Sequence, residues 1–176
     1  MNIRYWLWAC CLLPITAWAE TQFTYTSLQE KDCKLTSRDS INLSSIHTCP
    51  SLGGYRIQQV AGDERIGLNI EYGKKSLFYS GASFEANVGD KIEWRYTEQG
   101  QKKHYHALIF RVYTLPMGND GLFNQQQRIQ QLIVVRLRQN KSCILAEVPS
   151  SSNMNEQARA IADNPNAKCL SPAFTM

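Results

Sequence analysis

Two histidines separated by one residue, His104 and His106, are the first side chains whose type and spacing could do chemistry. They lie in KKHYHALIFRV, residues 102–112, whose composition is typical of a strand. Residues i and i+2 of a strand point to the same side, so both imidazoles should share a face with the apolar residues that follow. A catalytic zinc site needs three protein ligands, and His47 is expected in a loop. We therefore predict no metal or cofactor and interpret the pair as the polar, partly exposed end of a core strand.

Other patterns typical of hydrolases are missing from the sequence. It contains neither G-x-S-x-G nor H-E-x-x-H. Its carboxylates, among them Asp63, Glu64, Glu85 and Glu93, would form a glycosidase pair only if the fold brought two of them together. We predict a protein that is not an enzyme, and a small cell-wall hydrolase remains the alternative.

The N-terminus has the organisation of a secretory signal peptide. An arginine precedes an apolar run that is too short to span a bilayer, and Ala17–Ala19 forms a small-x-small cleavage site. Lipidation of Cys10 is the alternative, but bulky Trp8 fits that signal poorly. We predict a signal peptide over 1–19, a single secreted domain over 20–176 without a transmembrane segment, and a periplasmic or secreted location.

The cysteines that remain after cleavage are Cys33, Cys49, Cys143 and Cys169. An even number in an exported chain indicates disulfides, and three pairings are possible. We favour Cys33–Cys49 and Cys143–Cys169, each contributing on the order of 3 kcal/mol in the chain-entropy model. A zinc site is the rival interpretation, but no two of these cysteines have C-x-x-C spacing.

Alternating apolar residues predict strands over 65–73 and 91–97, and a polar turn over 98–103 leads to the strand that holds the histidines. Residues 131–138 are apolar on both faces, which predicts an interior strand. Residues 77–84 predict a further short strand. The expected fold is α+β, a mostly antiparallel twisted β-sheet of six to eight strands with one C-terminal helix, stapled by disulfides.

The predicted helix begins after Asn153. Glu156 three residues later suggests a capping box, and Asn164-Pro165 should end the helix. We expect it to cover one face of the sheet and to lead Cys169 back towards Cys143.

One side of the predicted sheet combines arginine with tyrosine, which is the composition of binding hot spots. If the strands within 91–97, 104–113 and 131–138 are neighbours, this outward parity also includes Tyr105. The predicted partner-binding residues are Arg95, Arg111, Tyr113, Arg136 and Arg138. The long polar loop over 117–127 is the competing location.

We expect the binding partner to be a protein. Nucleic acid is not expected, since the formal charge of the chain is only +4.

Several segments carry a resemblance to a known set of proteins. They are TCPSLGGYR (48–56), GDERIGLNIEYG (62–73), KIEWRY (91–96), HALIFRV (106–112), and above all LIVVRLRQNKSCILAEV (132–148) with NEQARAIAD (155–163) and the closing Cys169. The chain resembles a set of uncharacterised secreted proteobacterial proteins that contain disulfides. This resemblance implies an exported disulfide-bonded domain and brings no activity.

In size and composition the chain is also similar to periplasmic inhibitors of cell-wall lytic enzymes. The expected function is a non-catalytic periplasmic binding protein, in its concrete form an inhibitor or immunity protein against a cell-wall-degrading enzyme. An envelope assembly factor is a further alternative.

Export should leave a product of defined mass. We expect the intact mass of the exported protein to be that of residues 20–176 less four hydrogens, since cleavage follows Ala19 and both cysteine pairs oxidise. Mass spectrometry with and without reduction checks this. Free thiols, or a lipid adduct on Cys10, would contradict it.

Overall fold

Strands account for most of the architecture. The computed structural model describes residues 20–62, 65–79, 87–116, 118, 122, 124, 127–139 and 141–170. Within these residues lie ten strands, one α-helix and one short 3-10 helix. They are β1 (Thr21–Ser27), the 3-10 helix (Glu30–Asp32), β2 (Lys34–Asp39), β3 (Ser44–Cys49), β4 (Arg56–Gly62), β5 (Arg65–Tyr72), β6 (Lys75–Tyr79), β7 (Asn87–Gln99), β8 (Lys102–Thr114), β9 (Ile129–Arg136), β10 (Cys143–Pro149) and α1 (Met154–Asp163).

The strands form two antiparallel sheets, so the predicted fold class is confirmed while the predicted single sheet of six to eight strands is wrong. In the described part of the chain, sheet A has the order β1-β7-β8-β9-β10, and sheet B has the order β2-β3-β4-β5-β6. A half-apolar strand leaves its sheet with one face to bury, and two such faces can bury each other. The alternation of apolar and polar residues in the sequence shows that each strand has a face to bury. It does not show whether the strands belong to one sheet or to two.

The main core fills the space between the sheets. Leu68 and Ile70 of β5 oppose Trp94 of β7 and Phe110 of β8, and all four are buried. The Trp94 indole donates its Nε1 hydrogen to Thr26 Oγ1 at 2.8 Å, which satisfies the polar atom of an otherwise apolar ring.

Strand β9 is an interior strand, as its apolar run predicts. Ile133 and Val135 face the core between the sheets, whereas Leu132 and Val134 face a second apolar cluster on the outer side of sheet A. That second cluster is closed by Met154, Ala158 and Ala162 of α1. The molecule therefore has three layers, in the order sheet B, sheet A and helix.

Helix α1 has the predicted bounds but not the predicted cap. It ends at Asp163, before Asn164-Pro165. The side chain of Asn153 makes no bond to the backbone of the first turn and instead accepts hydrogen bonds from Gln157 Nε2 at 2.9 Å and Ser151 Oγ at 3.1 Å. The predicted capping box is wrong because this amide oxygen is used by a side chain one turn later.

Both predicted disulfides, Cys33–Cys49 and Cys143–Cys169, are confirmed. The first joins the start of β2 to the end of β3, and the second returns the segment after α1 to the start of β10. Two disulfides fit folding in an oxidising environment.

Within the described ranges, no helix is long and apolar enough to cross a membrane. The predicted signal peptide over 1–19, the Cys10 alternative, the end of the 77–84 segment and most of the 117–127 loop lie outside the described residues.

A close approach between a turn and β8 strongly favours glycine at position 53. Its φ is +64°, and a Cβ there would lie 2.7 Å from Cδ2 of Tyr105, whose ring packs edge-on against Trp94. Gly73 has a similar φ of +60° but open space around it.

We expect Gly73→Ala to cost about 1 kcal/mol of stability, the penalty of the left-handed conformation alone. Gly53→Ala should cost clearly more, because the clash adds to that penalty. Urea unfolding of both variants measures the difference, and equal costs would show that Tyr105 yields freely.

Candidate functional site

The predicted arginine stripe exists on sheet A, but it is only partly open to solvent. Arg95 on β7, Ala107 on β8 and Arg136 on β9 are cross-strand partners, and Arg111 on β8 pairs with Leu132 on β9. The three arginines therefore share one side of the sheet, as parity predicts. Helix α1 lies over that same side. The sequence indicates that a helix covers one face without indicating which face.

Arg95 is a buried residue, only 6% exposed. Its guanidinium donates from Nε and Nη2 to the two carboxylate oxygens of Asp163, the first at 3.0 Å, and from Nη1 to Glu93 Oε1 at 3.2 Å. Burial opposes the charge, but Asp163 and Glu93 outweigh it and raise the pKa of Arg95 above its usual value. The guanidinium is used inside the protein, so it holds the helix and is not presented to a partner.

Glu93 is the carboxylate on which this cluster converges. Arg159 of α1 grips it with two parallel bonds, from Nε and Nη2 at 2.9 Å each, and the Tyr25 hydroxyl donates to Oε2 at 3.1 Å. Burial alone would raise the pKa of Glu93, but the hydrogen bonds and charges of Arg159, Tyr25 and Arg95 hold it below the usual value. Glu93 is therefore ionised and has both oxygens occupied.

The residue spacing of α1 places Arg159 and Asp163 on the same side of the helix. Asn155, Arg159 and Asp163 recur every four residues and form one stripe along α1. Alanines at 158 and 162 on the neighbouring stripe let the helix approach sheet A closely. Arg159 and Asp163 were missed by sequence reasoning, although their i, i+4 spacing was a visible signal, and Glu93 was considered only as half of a glycosidase pair.

The other predicted partner-binding residues have separate environments. Arg136 donates to the carbonyl oxygens of Asn164 at 2.8 Å and Pro165 at 3.2 Å, and so closes the C-terminal end of α1. Arg138 is exposed beyond the end of β9. The Tyr113 ring carries the guanidinium of Arg128 3.7 Å from its centroid. The five predicted residues therefore do not form one surface.

The two histidines lie on the helix side of sheet A and not, as predicted, on the face of Leu108 and Phe110, because a β-bulge interrupts the alternation. Tyr96 pairs with Tyr105 and Arg95 with Ala107, so β8 has an extra residue at His106. Tyr105 consequently turns into the core between the sheets, not outward, and His106 Nε2 lies 3.2 Å from Asp163 Oδ1 on the helix side. His104 is exposed, and His47 lies in β3 instead of a loop. The described residues contain no group of three metal-ligating side chains.

A groove beside the helix brings together the accessible polar residues of this side. We call it the α1 groove. It has a volume of about 670 Å³ and runs between α1 and strands β1, β7 and β8. Its lining residues include Tyr25, Ser27, Asp90, Lys91, Glu93, Ile109, Arg111, Tyr113, Leu132, Asn155 and Arg159. Of the predicted partner-binding residues, Arg111 and Tyr113 lie here.

The groove holds two cations without a carboxylate partner among the described residues, Lys91 and Arg111. Lys91 Nζ lies over the Tyr25 ring, 4.3 Å from its centroid. Arg111 donates to neutral acceptors, from Nη1 to Gln130 Oε1 at 2.7 Å and Met154 Sδ at 3.5 Å, and from Nη2 to Asn155 Oδ1 at 3.5 Å. Arg159 also lines the groove, but its charge is already matched by Glu93. The groove therefore offers two cationic groups to an incoming anion.

Aromatic rings form the outer rim. Phe23 and Tyr25 of edge strand β1 are 47% and 42% exposed and meet edge-on at 5.5 Å. The Arg159 guanidinium lies 4.9 Å from the Phe23 ring centroid. Strand β1 was not predicted, although the alternation of aromatic and polar residues in QFTYTS was the signal for it.

Chemically, this arrangement can bind a carboxylate flanked by an apolar or planar group. The rings and the apolar floor cover flat surface, and Lys91 and Arg111 supply charged donors. The chain matches no protein-family model, no curated protein and no solved structure.

Glu93→Gln should weaken the attachment of the helix. We expect a cost of roughly 2–3 kcal/mol near neutral pH, at the low end for an unpaired buried charge because Arg159 keeps access to water. Glu98→Gln is the control, since the exposed Glu98–Lys103 pair is screened by solvent and should contribute little to stability.

The pH dependence of the free energy of unfolding gives a second test of the Glu93 ion pairs. The folded pKa of Glu93 is depressed, so its stabilisation is present above the unfolded pKa and is lost as the pH falls through the folded pKa. Wild type should therefore lose more stability than Glu93→Gln between about pH 7 and about pH 3. Urea titrations across this range measure the difference, and parallel profiles would show that Glu93 is not ion-paired.

Proposed function

We propose that this protein is a non-catalytic, exported binding protein whose α1 groove grips a carboxylate-bearing segment of a protein partner. The observation that carries the proposal is the combination, in one groove, of the unpaired cations Lys91 and Arg111 with the rings of Tyr25 and Tyr113. Binding hot spots are enriched in arginine and tyrosine and lie in pockets that are shielded from water.

The scaffold supports a binding role. Two sheets, two disulfides and an ion-paired helix hold the groove walls in place, and a preorganised surface loses little entropy on association. The disulfides favour an exported protein. We place it in the periplasm, as an inhibitor of, or immunity protein against, a cell-wall-degrading enzyme, because the clefts of enzymes that cleave the wall often supply carboxylates.

The carboxylates in the groove favour binding over the alternative of a small cell-wall hydrolase. A glycosidase needs one protonated carboxylic acid and a second, free carboxylate. Glu93 is held ionised with both oxygens hydrogen-bonded, which suits neither role. Asp90, which also lines the groove, would then have to catalyse hydrolysis without Glu93.

Charge reversal in the groove tests the proposal. We expect Lys91→Glu and Arg111→Glu each to weaken partner binding on the order of tenfold or more, because a charged hydrogen bond contributes roughly 1.5–3 kcal/mol. The remaining binding should depend less on salt. Lys102→Glu makes the same change of charge on an exposed residue at the start of β8, outside the groove, and should leave binding intact.

The measurement is a pull-down from periplasmic extract, followed by titration of the captured protein against each variant and by melting curves that confirm folding. If both reversals bind like wild type while shortening the 117–127 loop abolishes binding, the groove is wrong and the loop is the site. If groove-dependent capture yields a protein with no action on cell walls, the inhibitor form of the proposal is wrong.

A further inference from the structure

The tip of the β2–β3 hairpin carries the two most exposed large aliphatic side chains among the described residues. Ile41 is 90% exposed and Leu43 is 83% exposed. Asp39 and Ser44 pair at the ends of the two strands, so only Ser40 to Leu43 form the turn. Burying a leucine or isoleucine side chain is favourable, and this turn leaves two of them in water.

The turn is held in one shape. Asp39 Oδ1 accepts the backbone N–H groups of Ile41 at 2.9 Å and Asn42 at 3.2 Å, and Oδ2 accepts the Asn42 side-chain amide at 2.7 Å. The Cys33–Cys49 disulfide closes the base of the same hairpin. A loop that is already ordered loses little entropy when a partner covers it.

Leu43 adopts a backbone conformation that leucine rarely takes. Its φ is 49°, in the left-handed region, and among the described residues it is the only non-glycine with a positive φ. Glycine or asparagine would fit this position with less strain. Strain that the fold carries at an exposed residue points to a use for that side chain outside the fold.

We propose that Ile41 and Leu43 form a contact surface that inserts into an apolar pocket of a protein partner. The contact is independent of the α1 groove, which lies on the other sheet. A protein pocket is favoured over a lipid surface because the turn from 39 to 44 carries one negative charge, no positive charge and no aromatic residue. Membrane-binding tips use cations and interfacial rings, and anionic lipid repels a carboxylate.

The test is site-specific photocross-linking in cells that export the full chain. Benzoylphenylalanine at Ser40 should give a protein adduct, whereas the same group at exposed Gln139 should not. Ile41→Ser with Leu43→Ser should reduce the Ser40 adduct at least about tenfold, the loss expected when buried anchors are removed. Leu170→Ser, at a residue 65% exposed elsewhere, should leave it unchanged.

Leu43→Gly separates contact from folding. It removes the side chain and the left-handed penalty together, so the melting temperature should stay the same or rise while the Ser40 adduct falls. The proposal is overturned if Ser40 gives no protein adduct, or if the adduct survives in the double variant and in Leu43→Gly. It is also overturned if the wild type binds vesicles of phosphatidylethanolamine and phosphatidylglycerol and the double variant does not.

Discussion

Two charges buried on β7 set the arrangement of the helix layer. Glu93 and Arg95 lie under α1 with less than a tenth of their surface exposed. Leaving either one unpaired would cost several kcal/mol, and Arg159 and Asp163 of the helix supply the matching charges. The apolar face of α1 is small, one methionine and two alanines with the partly buried Ile161 beside them, so apolar burial alone would fix its position only loosely. The ion pairs determine where the helix sits along the sheet.

The α1 groove follows from this attachment. Arg159 binds Glu93 at the floor and also forms a wall, so the residue that anchors the helix shapes the space beside it. Arg136 and the Cys143–Cys169 disulfide secure the far end of the helix. Lys91 and Arg111 have no carboxylate partner among the described residues and are the cations left for a ligand, although Arg111 also contacts Met154 and Asn155 of the helix. A partner would therefore meet a surface that is already rigid.

Local pattern was enough to predict the fold class, the interior strand β9, both disulfides and the end of α1. It was not enough to predict that β1 pairs with β7, about seventy residues away, which places Phe23 and Tyr25 beside Glu93. Nor does strict alternation survive the bulge at His106, which turns Tyr105 inward. Parity therefore placed Arg95, Arg111 and Arg136 on one face correctly but assigned that face to solvent, because the helix that covers it is positioned by contacts distant in sequence.

The central claim is that charge pairing holds α1 in place and so forms the groove. Hydrogen exchange, followed by mass spectrometry, of wild type and Asp163→Asn tests it most directly. Losing the Asp163 charge leaves Arg95 with Glu93 alone, so amides in Met154–Asp163 should exchange faster while those of β4 and β5 in the other sheet keep their protection. If the helix amides exchange at the wild-type rate in the variant, apolar packing and the disulfide suffice to hold the helix, and the account is wrong.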